Sequence, residues 1–113
     1  MGDLSPHFSR SEFACHHCGK VIVSDRLVAR LEILRAMVGK PLRIVSGFRC
    51  AVHNAEVGGA KSSQHLVGQA ADIPLGYCNW QVAKRAGFTG VGHRSGQVTH
   101  VDVRPAPFVM FKD

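Results

Sequence analysis

The clearest periodic signal lies between Ser24 and Gly39. Leu27, Val28, Leu31, Leu34, Met37 and Val38 recur at spacings of three and four, the apolar stripe of one α-helix. Ser24-Asp25 supplies its start signal, and Gly39 followed by Pro41 its stop. Arg26, Arg30, Glu32 and Arg35 fall on the other positions and read as a solvated face. Ahead of this helix, Ser9-Arg10-Ser11-Glu12 has the spacing of a capping box, which predicts a short helix through Phe13 to Cys15. Behind it, the branched run Leu42-Arg43-Ile44-Val45 predicts a short strand that ends at Ser46-Gly47-Phe48-Arg49.

The second half reads as short elements divided by glycines. Val52 to Val57 predicts a helical turn before Gly58-Gly59, and Gln69 to Ile73 a strand entered at Gly68. Asn79 caps a helix over Trp80 to Ala86, which Gly87 stops. Phe88 to Gly92, the turn Arg94-Ser95-Gly96 and Gln97 to Val103 make a hairpin. Alternation puts Val98, His100 and Asp102 on one face of its second strand and Thr99, Val101 and Val103 on the other. Pro105 and Pro107 are read as ending the regular structure. Helices first and hairpin-connected strands later predict an α+β domain: a mainly antiparallel sheet with helices on one face and a metal site on the other.

With 113 residues and 45% hydrophobic content the chain fills one core. Residues 1–113 therefore read as a single domain, with 1–23 a cysteine-containing segment packed on it. The formal net charge of +6, from 14 basic and 8 acidic residues, suits either a solvated basic face or an anionic partner such as a cell-wall polymer, nucleic acid or an acidic membrane surface. No apolar run approaches the roughly 18 residues of a membrane helix, and the first residues lack the apolar core of a signal peptide. The expectation is cytoplasmic synthesis of a monomer with no transmembrane segment.

Chemistry concentrates in two stretches. Ser62 to Asp72 contains His65 and Asp72, and Thr99-His100-Val101-Asp102 adds His100. Two imidazoles and a carboxylate are the donor set of a hydrolytic zinc, which keeps three protein ligands and leaves a position open. Four cysteines need a separate account. Cys15 and Cys18 form Cys-His-His-Cys, while Cys50 and Cys78 stand alone. They supply a second, four-thiolate zinc site, one or two disulfides, or plain buried thiols, with His16 and His17 placed to substitute as ligands. A zinc-dependent nucleic-acid binder built on Cys15 and Cys18 leaves His65, Asp72 and His100 unexplained, so nucleic acid is not read as a partner.

Ser46-Gly47-Phe48-Arg49, His53-Asn54, Val57-Gly58-Gly59, Ser63-Gln64-His65-Leu66-x-Gly68-x-Ala70-Ala71-Asp72 and His100-Val101-Asp102-Val103 occur in order along the chain. This series resembles the zinc D-Ala-D-Ala peptidase family, of peptidase M15 type, whose members include D,D-carboxypeptidases, peptidoglycan endopeptidases and phage endolysins, and whose fold the Hedgehog signalling domain shares. The opening His7-Phe8-Ser9-x-Ser11-Glu12-Phe13 is similar to that of its short, stand-alone members.

The resemblance implies zinc held by His65, Asp72 and His100, and hydrolysis of a peptide bond in peptidoglycan stem peptides or cross-bridges. It gives Arg49 the task of holding the substrate carbonyl, its oxyanion or its carboxylate, a role that suits a fixed planar cation. Ser46, Ser63 and Gln64 become groove residues. Without a signal peptide, a member of this type reads as a phage or prophage lysin released to the cell wall, one domain of a longer tail protein, or a cytoplasmic dipeptidase. One position departs from the pattern. Many members carry a glutamate base three residues before the last histidine ligand, where this chain has Gln97, an amide that orients water or substrate but takes no proton. His93 is the strongest substitute and Asp102 the second, the latter also suited to orienting His100. The alternative is a catalytically weak or inactive zinc-binding module that holds cell-wall fragments or a protein partner.

Overall fold

The computed structural model describes residues 2–113. Helix α1 spans Asp25–Val38. Ser24 Oγ accepts from the Leu27 N–H at 3.3 Å, and Gly39, at φ 80°, closes the other end by donating its N–H to the Arg35 carbonyl. Leu27, Val28, Leu31 and Leu34 are buried, each contributing about 1.5–3 kcal/mol relative to exposure. The predicted stripe is one residue too generous, because Met37 in the last turn is exposed. Helix α2 spans Ala51–Glu56, and helix α3 spans Trp80–Arg85 with Asn79 Oδ1 accepting from the Val82 N–H at 3.1 Å.

Four strands form one sheet: β1 Ala70–Asp72, β2 Gly90–Arg94, β3 Gln97–Asp102 and β4 Val109–Lys112, in the order β1-β3-β2-β4. β3 pairs antiparallel with both β1 and β2, and β4 runs parallel to β2. The α+β architecture therefore holds, with the sheet mixed at one edge. Pro105 and Pro107 do not end the regular structure as predicted. A proline removes one ladder donor, and past them the Val109 and Asp113 N–H groups donate to Thr89 and His93.

One core cluster joins Leu27, Leu31 and Leu34 of α1 and Ala83 of α3 to Val91, Val98 and Val101 of the sheet. Ala71 joins the same core, so its neighbours Ala70 and Asp72 point to the other face. On β3 the predicted alternation fails at one point. Gly92 pairs with His100 but His93 pairs with Val98, so Thr99 is an extra residue, a β-bulge. The bulge turns Val98 into the core beside Val101 and Val103 and leaves His100 and Asp102 on the opposite side.

Three other expectations are corrected. Leu42–Val45 forms no strand: β1 is three residues long, and its outer edge takes a single bridge, Ser46 to Asp72. The helix expected through Phe13 to Cys15 is a 3-10 turn over Arg10–Phe13, which buries Phe13 and opens at Ala14. Glu32 is not simply solvated. Its carboxylate accepts from Ser5 Oγ at 2.6 Å and from the His7 N–H at 2.8 Å, which fastens the N-terminal segment to α1. Among the described residues no helix is long and apolar enough to cross a membrane.

Candidate metal centre

The sheet's open face gathers His65, Asp72 and His100. β1 delivers Asp72 and β3 delivers His100 directly opposite it in register. His65 comes from a 3-10 turn, Gln64–Val67, whose entry is fixed by Ser63 Oγ accepting the His65 N–H at 3.2 Å and whose exit is Gly68 at φ 72°. One donor atom from each of the three residues lies within 4.8 Å of the others. His65 Nε2 is 3.1 Å and His100 Nδ1 3.3 Å from the same oxygen, Asp72 Oδ1. A tetrahedral ion with bonds of 2.0–2.1 Å separates its ligands by about 3.3 Å, so each imidazole already stands at zinc-ligand spacing from the carboxylate.

The outward nitrogens fix the inward ones. His65 Nδ1 is 2.7 Å from the Gly47 carbonyl, which only accepts, so Nδ1 carries the proton and Nε2 presents a lone pair. His100 is turned the other way: Nε2 donates to Asp102 Oδ2 at 2.8 Å and Nδ1 faces Asp72. Asp102 is itself buried and held by Arg104, whose Nε reaches Oδ1 at 2.8 Å and Nη2 reaches Oδ2 at 2.6 Å. Burial alone would raise the Asp102 pKa, but Arg104 and His100 outweigh it and keep the carboxyl well below the usual range. A side chain at residue 90 would collide with this carboxylate, which is why β2 has glycine there.

Asp72 is held down in the same manner. Burial pushes its pKa up, and hydrogen bonds to His100 and His65 pull it further down. Its second oxygen accepts from Arg49 Nη2 at 2.8 Å. The chemistry of the set, two imidazoles aimed at one carboxylate with their far nitrogens anchored, fits a borderline-soft divalent ion.

A cavity of about 310 Å³ opens over the three donors, walled by Arg49, Gly59, Ser63, Gln64, Arg104, Phe111 and Asp113. Of the residues singled out from sequence, His65, Asp72, His100, Arg49, Ser63 and Gln64 meet there. Ser46 contributes backbone instead, its carbonyl accepting the Asp72 N–H at 2.8 Å. His93 lies outside the cavity lining. It is tied into the hairpin turn, where its Nδ1 accepts from the Gly96 N–H at 3.1 Å. Gln97 also lies outside it, exposed at the start of β3 and bridged to Asn79. Arg104, Phe111 and Asp113 were missed. Arg104 had a signal, two residues beyond Asp102 on the same face; the other two arrive on or just after β4.

The cysteines separate into two groups. Cys15, Cys18 and Cys50 lie together, with one sulfur each within 4.8 Å of the others. Cys78 packs in the core with Phe88 and Val98, and burial pushes its thiol up to about 11. A four-thiolate site using Cys78 is therefore excluded, and all four thiols are free.

Comparison with known proteins gives a consistent picture. Residues 6–102 match the family described as Peptidase M15. The zinc D-Ala-D-Ala carboxypeptidase of Streptomyces albus G is 40% identical over 67 residues, 55% of this chain. The match covers 26% of that relative's length.

Proposed function

The chain belongs to the peptidase M15 family of zinc peptidases, and on that premise we propose that it is a D,D-carboxypeptidase. Its substrate would be a peptidoglycan stem peptide and its zinc ligands His65, Asp72 and His100. The supporting observation is the meeting of three ligand atoms within 4.8 Å, both imidazoles at zinc spacing from the carboxylate, under a cavity with two guanidinium groups. When bound, zinc supplies Lewis acidity toward water and the scissile carbonyl.

The chain's own residues supply the remainder. Arg49, anchored through Asp72, presents its guanidinium to the substrate's carbonyl oxygen as negative charge develops there. Arg104 adds positive charge to the wall that would face a terminal carboxylate. Ser63 and Gln64 offer polar edges for the peptide backbone. Asp102 holds the proton on His100 Nε2 and so keeps Nδ1 free for ligation. Gln97 and His93 are not at the cavity, so the proton-acceptor role passes to Asp113. That carboxylate lines the cavity, is fixed by Thr99 Oγ1 at 2.5 Å, and makes no side-chain ion pair among the described residues.

A defined stem pentapeptide ending in D-Ala-D-Ala tests the reading. Release of the terminal D-Ala by zinc-loaded protein supports it, and loss of kcat in Asp113→Asn with KM retained supports the assigned base. New amines from cross-linked wall without D-Ala release would instead make it an endopeptidase. The second reading, a zinc-binding module without turnover, draws on the placement of Gln97 and His93 outside the cavity. Stoichiometric zinc with no product from stem peptides or wall would favour it.

A further inference from the structure

We propose that Cys15, Cys18 and Cys50 form a second, structural zinc site with His17 as its fourth donor. The three sulfurs come from two stretches more than thirty residues apart and still lie within 4.8 Å of one another. Cys15 and Cys18 share a tight turn: the Gly19 N–H donates to the Cys15 carbonyl at 2.8 Å, the Cys15 N–H to the Lys20 carbonyl at 2.9 Å, and Gly19 sits at φ 75°. Backbone donors point at the sulfurs. The Cys50 N–H lies 3.4 Å from Cys15 Sγ, and the His53 N–H 3.5 Å from Cys50 Sγ.

The fourth donor is adjacent. His17 Nδ1 lies 3.6 Å from Cys50 Sγ. Zinc bonds of 2.3 Å to sulfur and 2.0–2.1 Å to nitrogen set that edge of a tetrahedron at about 3.6 Å, and the sulfur–sulfur edges at about 3.8 Å. Closing the trio onto an ion thus needs shifts of about 1 Å at most, plus rotation of the exposed His17 ring. A disulfide would use two of the sulfurs and strand the third, whereas an ion uses all three. Thiolates with one imidazole select zinc among common divalent ions, and the closed donor set marks a structural role.

The site would fasten the N-terminal segment beside the main centre. Cys50 follows Arg49, whose own N–H donates to the His65 carbonyl at 3.1 Å, and the Phe48 N–H donates to the Phe13 carbonyl at 2.9 Å.

Metal counting tests it independently of peptidase activity. Desalted, zinc-loaded full-length protein is expected to carry two equivalents of zinc. His100→Ala should keep the thiolate-bound one, and Cys50→Ser should keep the other. On cobalt exchange, a thiolate-to-cobalt charge-transfer band should persist in His100→Ala and vanish in Cys50→Ser. Because losing a structural ion can unfold the chain, Cys18→His, which retains a donor, is measured alongside and should keep the second equivalent with a shifted cobalt spectrum. One equivalent in the wild type with all thiols reactive, a disulfide among the three, or a band that survives in Cys50→Ser would overturn the site. An unchanged cobalt spectrum and chelator release rate in His17→Ala would overturn the fourth donor.

Discussion

Asp102 never reaches the cavity, yet it decides which nitrogen of His100 does. Asp102→Asn exchanges a fixed acceptor for an amide that can also donate, so His100 loses its enforced tautomer and Arg104 its partner. Zinc affinity should fall about 10- to 100-fold, read by competition with a chromophoric chelator. Arg49→Lys keeps the charge but loses the planar fork that spans Asp72 and substrate, and kcat/KM should drop about 100-fold. The proposed zinc ligands stand out in the sequence because their motif fixes residue type and order. The proposed base, Asp113, does not. The bulge at Thr99 and the turn that holds His93 come from pairing register, which the spacing of residues does not carry. Arg104 and Asp113 reach the site through that same pairing.

Helices α1 and α3, with their own caps and stops, were read closely, whereas β4 and the irregular path of Leu42–Val45 were not. α1 carries its own cap, stripe and stop, whereas β4 exists because β2 offers it a free edge, and Leu42–Val45 stays irregular because β1 offers almost none. Leu31 is fully buried at the centre of the α1 stripe, so Leu31→Ala should cost about 2–5 kcal/mol in denaturant unfolding. Glu32 links α1 to the N-terminal segment, and its pKa is lowered: burial raises it, while Ser5 and His7 lower it more. A carboxyl with a depressed folded-state pKa stabilises above its unfolded value and loses that contribution as pH falls through the folded one. Wild-type thermal stability should therefore decline as pH drops through and below the glutamate range, and Glu32→Gln should flatten that limb while lowering stability near neutrality.

At the scale of the whole molecule, a thin sheet separates one apolar core from a polar face, and every argued function lies on or beside that face. The domain's helix-covered side supplies stability, and the loops between α2 and β1 supply the cavity rim. The fold class was legible because the order of helices and strands leaves few two-layer arrangements; the mixed edge was not, since it joins distant parts of the chain, and the cysteine grouping was read with Cys78 in it, which the core takes instead. The most direct test of the account is D-Ala release from a stem pentapeptide by zinc-loaded protein, its chelated form and His100→Ala. Turnover that requires zinc, returns when zinc is restored to the chelated protein and is lost in His100→Ala is the predicted result. Undiminished turnover in His100→Ala, or in the chelated protein, would contradict a zinc centre built on His65, Asp72 and His100.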